Sequence, residues 1–188
     1  VAVMYPDRGY HATASRAYHY IRRYFEDKKW GGVYWTVDAK GQPADKKKQI
    51  YAQAFTIYAC SEYYEATKDE TAKEFSIALY RLIEQHSYEP IYGGYLEAFS
   101  EEWKLAEDLR LSDKDANEKK TMNTHLHILE AYTTLYRIWP DVGLRQKIKV
   151  LLTVFAEKII DKNSGHLRLF FNDVWEQKSD TVSYGHDI

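Results

Sequence analysis

Cysteine is almost absent from this chain: Cys60 stands alone among 188 residues. One thiol cannot close an internal disulfide, and such usage fits a reducing compartment. Cys60 lies between Ala59 and Ser61 in an apolar-periodic stretch, where an inert core thiol is expected. Long apolar runs are missing too. None approaches 18 residues and no signal-peptide pattern opens the chain, so the expectation is a soluble, cytoplasmic protein. A strong charge of one sign is equally lacking: 26 Lys and Arg against 28 Asp and Glu leave a formal net charge of −2. That balance speaks against nucleic-acid or membrane partners.

Aromatic side chains are what the chain has in excess, with 17 Tyr, 7 Phe and 5 Trp. Tyr and Trp join a broad apolar face to one polar handle, which suits a concave site for sugars. Most of them are expected simply to fill a helical core.

A weak internal repeat runs through the chain. Trp30-Gly31-Gly32-Val33, Tyr92-Gly93-Gly94-Tyr95 and Ser164-Gly165-His166-Leu167 read as three versions of one element, with Gly32, Gly94 and Gly165 spaced by 62 and 71 residues. Each glycine can end a helix in a left-handed conformation, and the aromatic stretch behind it reads as a short strand. Apolar spacing between these markers is helical, predicting helices over 10–28, 46–67, 70–87, 119–138 and 143–161, with another starting near 180. Helix, tight turn, helix, glycine, strand hairpin is the pattern of a toroid of helical hairpins whose long loops gather on one face. The charged segment from Ser100 to Lys120 is either a solvated loop or a lid over the pocket mouth. Val1 is not an initiator Met, and Ile188 falls inside an amphipathic start without a stop signal. The expectation is therefore one partial domain, residues 1–188, an internal fragment truncated at both ends and inactive alone.

Asn123-Thr124-His125-Leu126-His127-Ile128-Leu129-Glu130 sets polar, proton-handling groups in a periodic helix. Asn123 and His127 lie about 40° apart on one face with Glu130 next in the stripe, while His125 points roughly the other way. An Asn and a His side by side on a buried face need hydrogen bonds or a ligand. His125 is expected to be structural, and His11, His19, His86 and His166 to be surface or helix-end residues. His125 and His127 could chelate a metal from a strand but not readily from a helix, so no metal is expected. Paired carboxylates for glycoside hydrolysis, drawn from Glu97, Asp108, Asp113, Asp115 and Glu130, are a rival reading. A noncatalytic repeat scaffold is another, which the polar inner stripe of Tyr51, Asn123 and His127 disfavours.

Tyr51-Ala52-Gln53-Ala54-Phe55, Glu97-Ala98-Phe99 with Trp103, Leu109-Arg110-Leu111-Ser112, Lys120 through His127, and Ser183-Tyr184-Gly185-His186-Asp187, in this order and spacing, carry a resemblance to a known family. The chain resembles the cellobiose 2-epimerases of the N-acylglucosamine 2-epimerase superfamily. The resemblance implies an all-α fold, part of an (α/α)6 barrel with short β-hairpin loops on one face. It also implies cofactor-free epimerisation at C2 of the reducing-end sugar of a disaccharide: cellobiose to glucosyl-mannose, lactose to epilactose. By the same likeness His186 falls on one of two catalytic histidines flanking C2. His127 and Asn123 fall on residues that open the ring and hold the intermediate, and Tyr51 and Phe55 on substrate contacts. Asp115 is a further expected substrate contact. The full-length protein is expected to be a monomer or weak homodimer. Other members of the superfamily, N-acylglucosamine 2-epimerases or aldose–ketose isomerases, remain alternatives.

The chemistry suits these residue types. C2 of an aldose is acidic only in the open-chain form, so ring opening, proton removal and proton return each need a group titrating near neutrality, which histidine supplies. Amide donors such as Asn123 would stabilise charge on O1 and O2. A His186 placed after Gly185 at a helix start is expected to be neutral and basic.

Overall fold

The computed structural model describes residues 9–181. Five helices carry the fold: α1 (Tyr10–Tyr20), α2 (Ile50–Thr67), α3 (Glu70–His86), α4 (Met122–Ile138) and α5 (Val142–Val154). Local chemistry starts and stops them. Asp69 accepts the Thr71 N–H at 3.0 Å ahead of α3, and Asp141 accepts that of Leu144 at 2.9 Å ahead of α5. Lys68, at φ 61°, turns the chain out of α2 in a left-handed conformation. All five predicted helices between residues 10 and 161 are present. The two inner ones start later than the apolar period implies, because Lys48–Gln49 and Lys120–Thr121 pair as strands.

Those pairings define one face of the molecule. The first long loop holds a hairpin of β1 (Thr36–Val37) and β2 (Pro43–Asp45). The other two pairs join successive loops: β3 (Lys48–Gln49) with β4 (Ala98–Phe99), and β5 (Lys120–Thr121) with β6 (Phe170–Phe171), all antiparallel. The expected hairpins behind each glycine thus shrink to single bridges, Glu26 to Val33, Tyr88 to Tyr95 and Ile160 to Leu167, and most strand pairing goes between loops.

α2 and α4 both begin on this loop face and pack side by side, forming an inner layer. α1, α3 and α5 pack against them from outside. Ile50, Ile57, Leu79, Ile83, Ile128, Tyr132 and Leu135 fill the space between layers, all fully shielded. A smaller cluster gathers Met122, Ile159, Phe171 and Trp175.

The repeat is closer than its sequence suggests. Asp27, Glu89 and Asp161 each accept two backbone N–H groups of their own glycine turn: Lys29 and Trp30, Ile91 and Tyr92, Asn163 and Ser164. Lys48 reaches back to Asp27 at 2.6 Å and Lys120 to Glu89 at 3.4 Å, both ammonium groups fully buried. The Trp103 indole donates to Trp30 O, and the Trp175 indole to Tyr92 O. A Cβ on Gly32 or Gly94 would strike these two rings, and both glycines have positive φ, so glycine is required twice over. Gly165 corresponds to Gly31 and Gly93 rather than to Gly32 and Gly94: its N–H bonds Asp161 O as that of Gly31 bonds Asp27 O. The second and third units are therefore offset by 72 residues, one more than glycine spacing implies.

Candidate active site

The 72-residue offset brings the sequence-predicted site together. Tyr51 and Asn123 take the same place in the first turns of α2 and α4, and Phe55 and His127 the same place one turn on. Because these helices run side by side from the same face, Tyr51, Phe55 and His127 meet, with Asn123 one turn before His127 on its stripe. The His127 ring lies 4.5 Å from that of Phe55 and 4.8 Å, edge to face, from that of Tyr51. Tyr51 and Phe55 are 4.7 Å apart, and Trp35 from the first loop stands edge-on to Tyr51 at 6.3 Å. Phe55 remains 38% exposed, an apolar ring presented to solvent.

His127 is oriented by its neighbour. Its Nδ1 lies 2.7 Å from Glu130 Oε2, so an ionised Glu130 fixes the proton on Nδ1 and leaves Nε2 with a lone pair. Asn123 is the other half of the stripe. Its Oδ1 is cut off from solvent and meets no donor among the described residues, a deficit a bound hydroxyl would repair. Asn123 and Asp115 line one cavity of about 150 Å³, with Glu97, Leu109 and Arg110 completing its wall. One Asp115 oxygen already accepts the Ser112 N–H at 2.8 Å and its hydroxyl at 2.9 Å, holding the loop in shape.

Histidine 125 is structural. It is fully buried, its Nδ1 donates to Thr121 O at 2.6 Å, and its Nε2 accepts the Tyr95 N–H at 2.9 Å. Burial pulls its pKa down to about 4. It cannot turn beside His127 to chelate a metal. Gln53, its counterpart on α2, makes the same bonds: Oε1 accepts the Val33 N–H and Nε2 donates to Gln49 O. Cys60 is buried, with its thiol pushed up to about 12, as an inert core group should be.

The segment from Ser100 to Lys120 is not simply solvated. Trp103 and Leu109 are buried, Gln49 Nε2 donates to Arg110 O, and Lys47 reaches the same carbonyl. Two of its carboxylates are tied to one cation: Arg110 pairs with Asp108 at 2.9 Å and with the exposed Asp113 at 3.8 Å. His186, with the whole Ser183–Ile188 stretch and the helix predicted there, lies outside the described residues. A larger groove of about 790 Å³ between α1 and α2 holds Ala14, Ala17 and Ala59, and its charges are matched, Arg137 with Glu62 and Glu65. Trp35 beside Tyr51 is not singled out by the sequence, and Glu97 is legible there only as a carboxylate, not as a wall of the Asn123 cavity.

Residues 1–187 match the N-acylglucosamine 2-epimerase (GlcNAc 2-epimerase) family. The chain belongs to that family. It is 50% identical over 179 residues to the cellobiose 2-epimerase of Bacteroides fragilis, covering 95% of this chain and 46% of that protein. To the cellobiose 2-epimerase of Dictyoglomus turgidum it is 40% identical, covering 93% and 44%. It superposes on the solved cellobiose 2-epimerase of Bacillus thermoamylovorans B4167 with a TM-score of 0.92 and 42% identity, over 96% of this chain and 47% of that one. The chain thus spans about half the length of the relatives it matches. Its two helical layers are part of the (α/α)6 barrel of this family, as expected from the sequence.

Proposed function

We propose that this chain carries the substrate-holding part of a cofactor-free carbohydrate 2-epimerase acting on the reducing-end glucose of β-1,4-linked disaccharides, cellobiose and lactose. The observation that carries this reading is an Asn123 Oδ1 without a partner among the described residues, one helical turn from a His127 ring held by Glu130 against the rings of Tyr51 and Phe55. Its likeness to the cellobiose 2-epimerases supports the choice of substrate.

In this scheme Tyr51, Phe55 and Trp35 offer rings to the sugars' C–H faces, and Asn123 accepts a sugar hydroxyl. His127 Nε2 takes the O1 proton and passes it to O5 as the C1–O5 bond breaks, leaving C1 a carbonyl. A base then removes the C2 proton, the C–H pair forms a C1–C2 double bond, and the carbonyl pair moves to O1. Returning a proton to the opposite face of C2 reverses these shifts and leaves a mannose end. His186 is the proposed base on one face. The α2 and α4 N-termini both lie on the pocket side, where their partial positive charge favours the enediolate oxygens.

Incubating the full-length protein with cellobiose in deuterated water tests the reading. A glucosyl-mannose product bearing deuterium at C2 is expected. Free glucose would make the protein a hydrolase, and unchanged cellobiose would remove the assigned activity.

A further inference from the structure

We propose that Glu97 is a positioning residue for Asn123 and His127, completing from a distant loop the cap of the helix that carries both. The inference rests on the function proposed above for what α4 does, but its geometry stands independently. In a capping box, an N-cap Ser or Thr accepts the N–H of the residue three on, whose own Glu or Gln side chain returns to the N-cap N–H. α4 has only half of this. Thr121 Oγ1 accepts the Thr124 N–H at 3.1 Å, but residue 124 is Thr, too short to reach back. Glu97 fills the gap: its Oε1 accepts the Thr121 N–H at 2.8 Å, and its Oε2 bonds the Thr124 hydroxyl at 2.7 Å.

Asn123 sits between the two capped residues, so the direction of its amide follows from how firmly that turn is held. Glu97 also grips the neighbouring helix, since its backbone carbonyl accepts the Ile50 N–H at 3.0 Å. One residue thereby ties the first turn of α2, which bears Tyr51, to the first turn of α4, which bears Asn123.

The repeat separates this device from ordinary scaffolding. At the corresponding positions stand Trp35, 62 residues earlier, and Leu169, 72 residues later. Leu169 keeps only the backbone part, its carbonyl accepting the Met122 N–H at 2.9 Å. The α2 counterparts of Thr121 and Thr124 are Gln49 and Ala52, and α2 has no side-chain cap. Among the described residues the carboxyl is added only where the helix carries Asn and His. Glu97 itself is 1% exposed and contributes to the wall of the cavity that holds Asn123 and Asp115. Burial also pushes its pKa up to about 8, so at neutral pH the carboxyl is protonated and a glutamine is its close isostere.

The test compares Glu97→Gln, Glu97→Leu and Thr124→Val in the full-length enzyme. Glu97→Leu should lower kcat at least about tenfold with KM for cellobiose changed less than about threefold, and Glu97→Gln should restore most of kcat. Thr124→Val, which removes one of the two bonds, should fall between and replaces Glu97→Leu if the latter does not fold. Amide exchange at Thr121 should quicken in the Leu variant and not in Gln, while the middle of α2 stays protected. Parent-like kcat in Glu97→Leu, or equal losses in Leu and Gln, would overturn the assignment. If the parent itself does not epimerise cellobiose, the function fails, and the exchange pattern alone decides whether Glu97 holds the turn.

Discussion

His127 and His125, two residues apart on one helix, show how the site works at the level of single side chains. The 3.6-residue period sets them on different faces, as the structure does, because a helix face is an angular property that sequence carries directly. His127→Ala should cut epimerisation by at least about 100-fold, the cost of losing a positioned acid–base. Melting should change little, because the ring borders an open cleft. Steady-state kinetics beside a thermal melt checks both, and near-parent turnover would make His127 structural. For His125 the prediction concerns pH. Its folded pKa of about 4 lies below the unfolded value near 6.5, so below pH 6.5 the unfolded chain takes up a proton that the folded one refuses. Stability therefore falls as pH drops from 6.5 to 4, by an amount on the order of 3 kcal/mol at the acid end. His125→Gln should flatten that slope in urea unfolding curves, since Gln53 shows that glutamine can make both bonds. A slope unchanged by the substitution would assign the acid loss to other groups.

At the scale of elements, helices were legible and the loop face was not. Periodicity gave all five helices, since burial of one stripe is written into the spacing of Leu, Ile and aromatic residues, but it did not show that the predicted ends of α1 and α5 wind on as π-helical turns, Ile21–Phe25 and Phe155–Ile159. Pairs of two-residue strands leave no such trace. Lys48 and Lys120 look like surface charges in sequence, yet each reaches back from the end of its loop to a carboxylate at the start of the same loop. Glu97 was visible as a carboxylate but not as a cap, because its partners lie 24 and 27 residues away. The buried Lys48–Asp27 pair makes a prediction of its own. Asp27→Ala strands a buried ammonium and also frees the Lys29 and Trp30 N–H groups, so the loss should reach about 3–5 kcal/mol. Lys46→Ala, which breaks an exposed pair with Glu101, should cost at most about 1 kcal/mol. Equal destabilisation of the two, in denaturant titrations, would mean the buried pair is no latch.

For the molecule as a whole, what matters is that the inner helices start on one face and point their N-termini at one place. Each inner helix contributes its first two turns to the pocket, Tyr51 and Phe55 from α2, Asn123 and His127 from α4, so a site spread over 76 residues is assembled by repetition. Such a pocket should favour an anion over a neutral sugar. Two helix ends supply partial positive charge, and the aromatic walls keep the local dielectric low. An enzyme whose intermediate is an enediolate must hold that planar, charged species more tightly than its substrate. The hydroxamate of cellobionic acid mimics it, with two adjacent oxygens on a planar frame, whereas cellobiitol keeps the hydroxyls and lacks both planarity and charge. Competitive inhibition of the full-length enzyme should rank the hydroxamate at least about 100-fold tighter than the alcohol, the lower end of what transition-state mimics gain. The margin should shrink in His127→Ala, which removes the base that would take the hydroxamic acid proton. Equal affinity for the two compounds would mean that the pocket recognises sugar shape without stabilising charge, and the enediolate route would have to be abandoned.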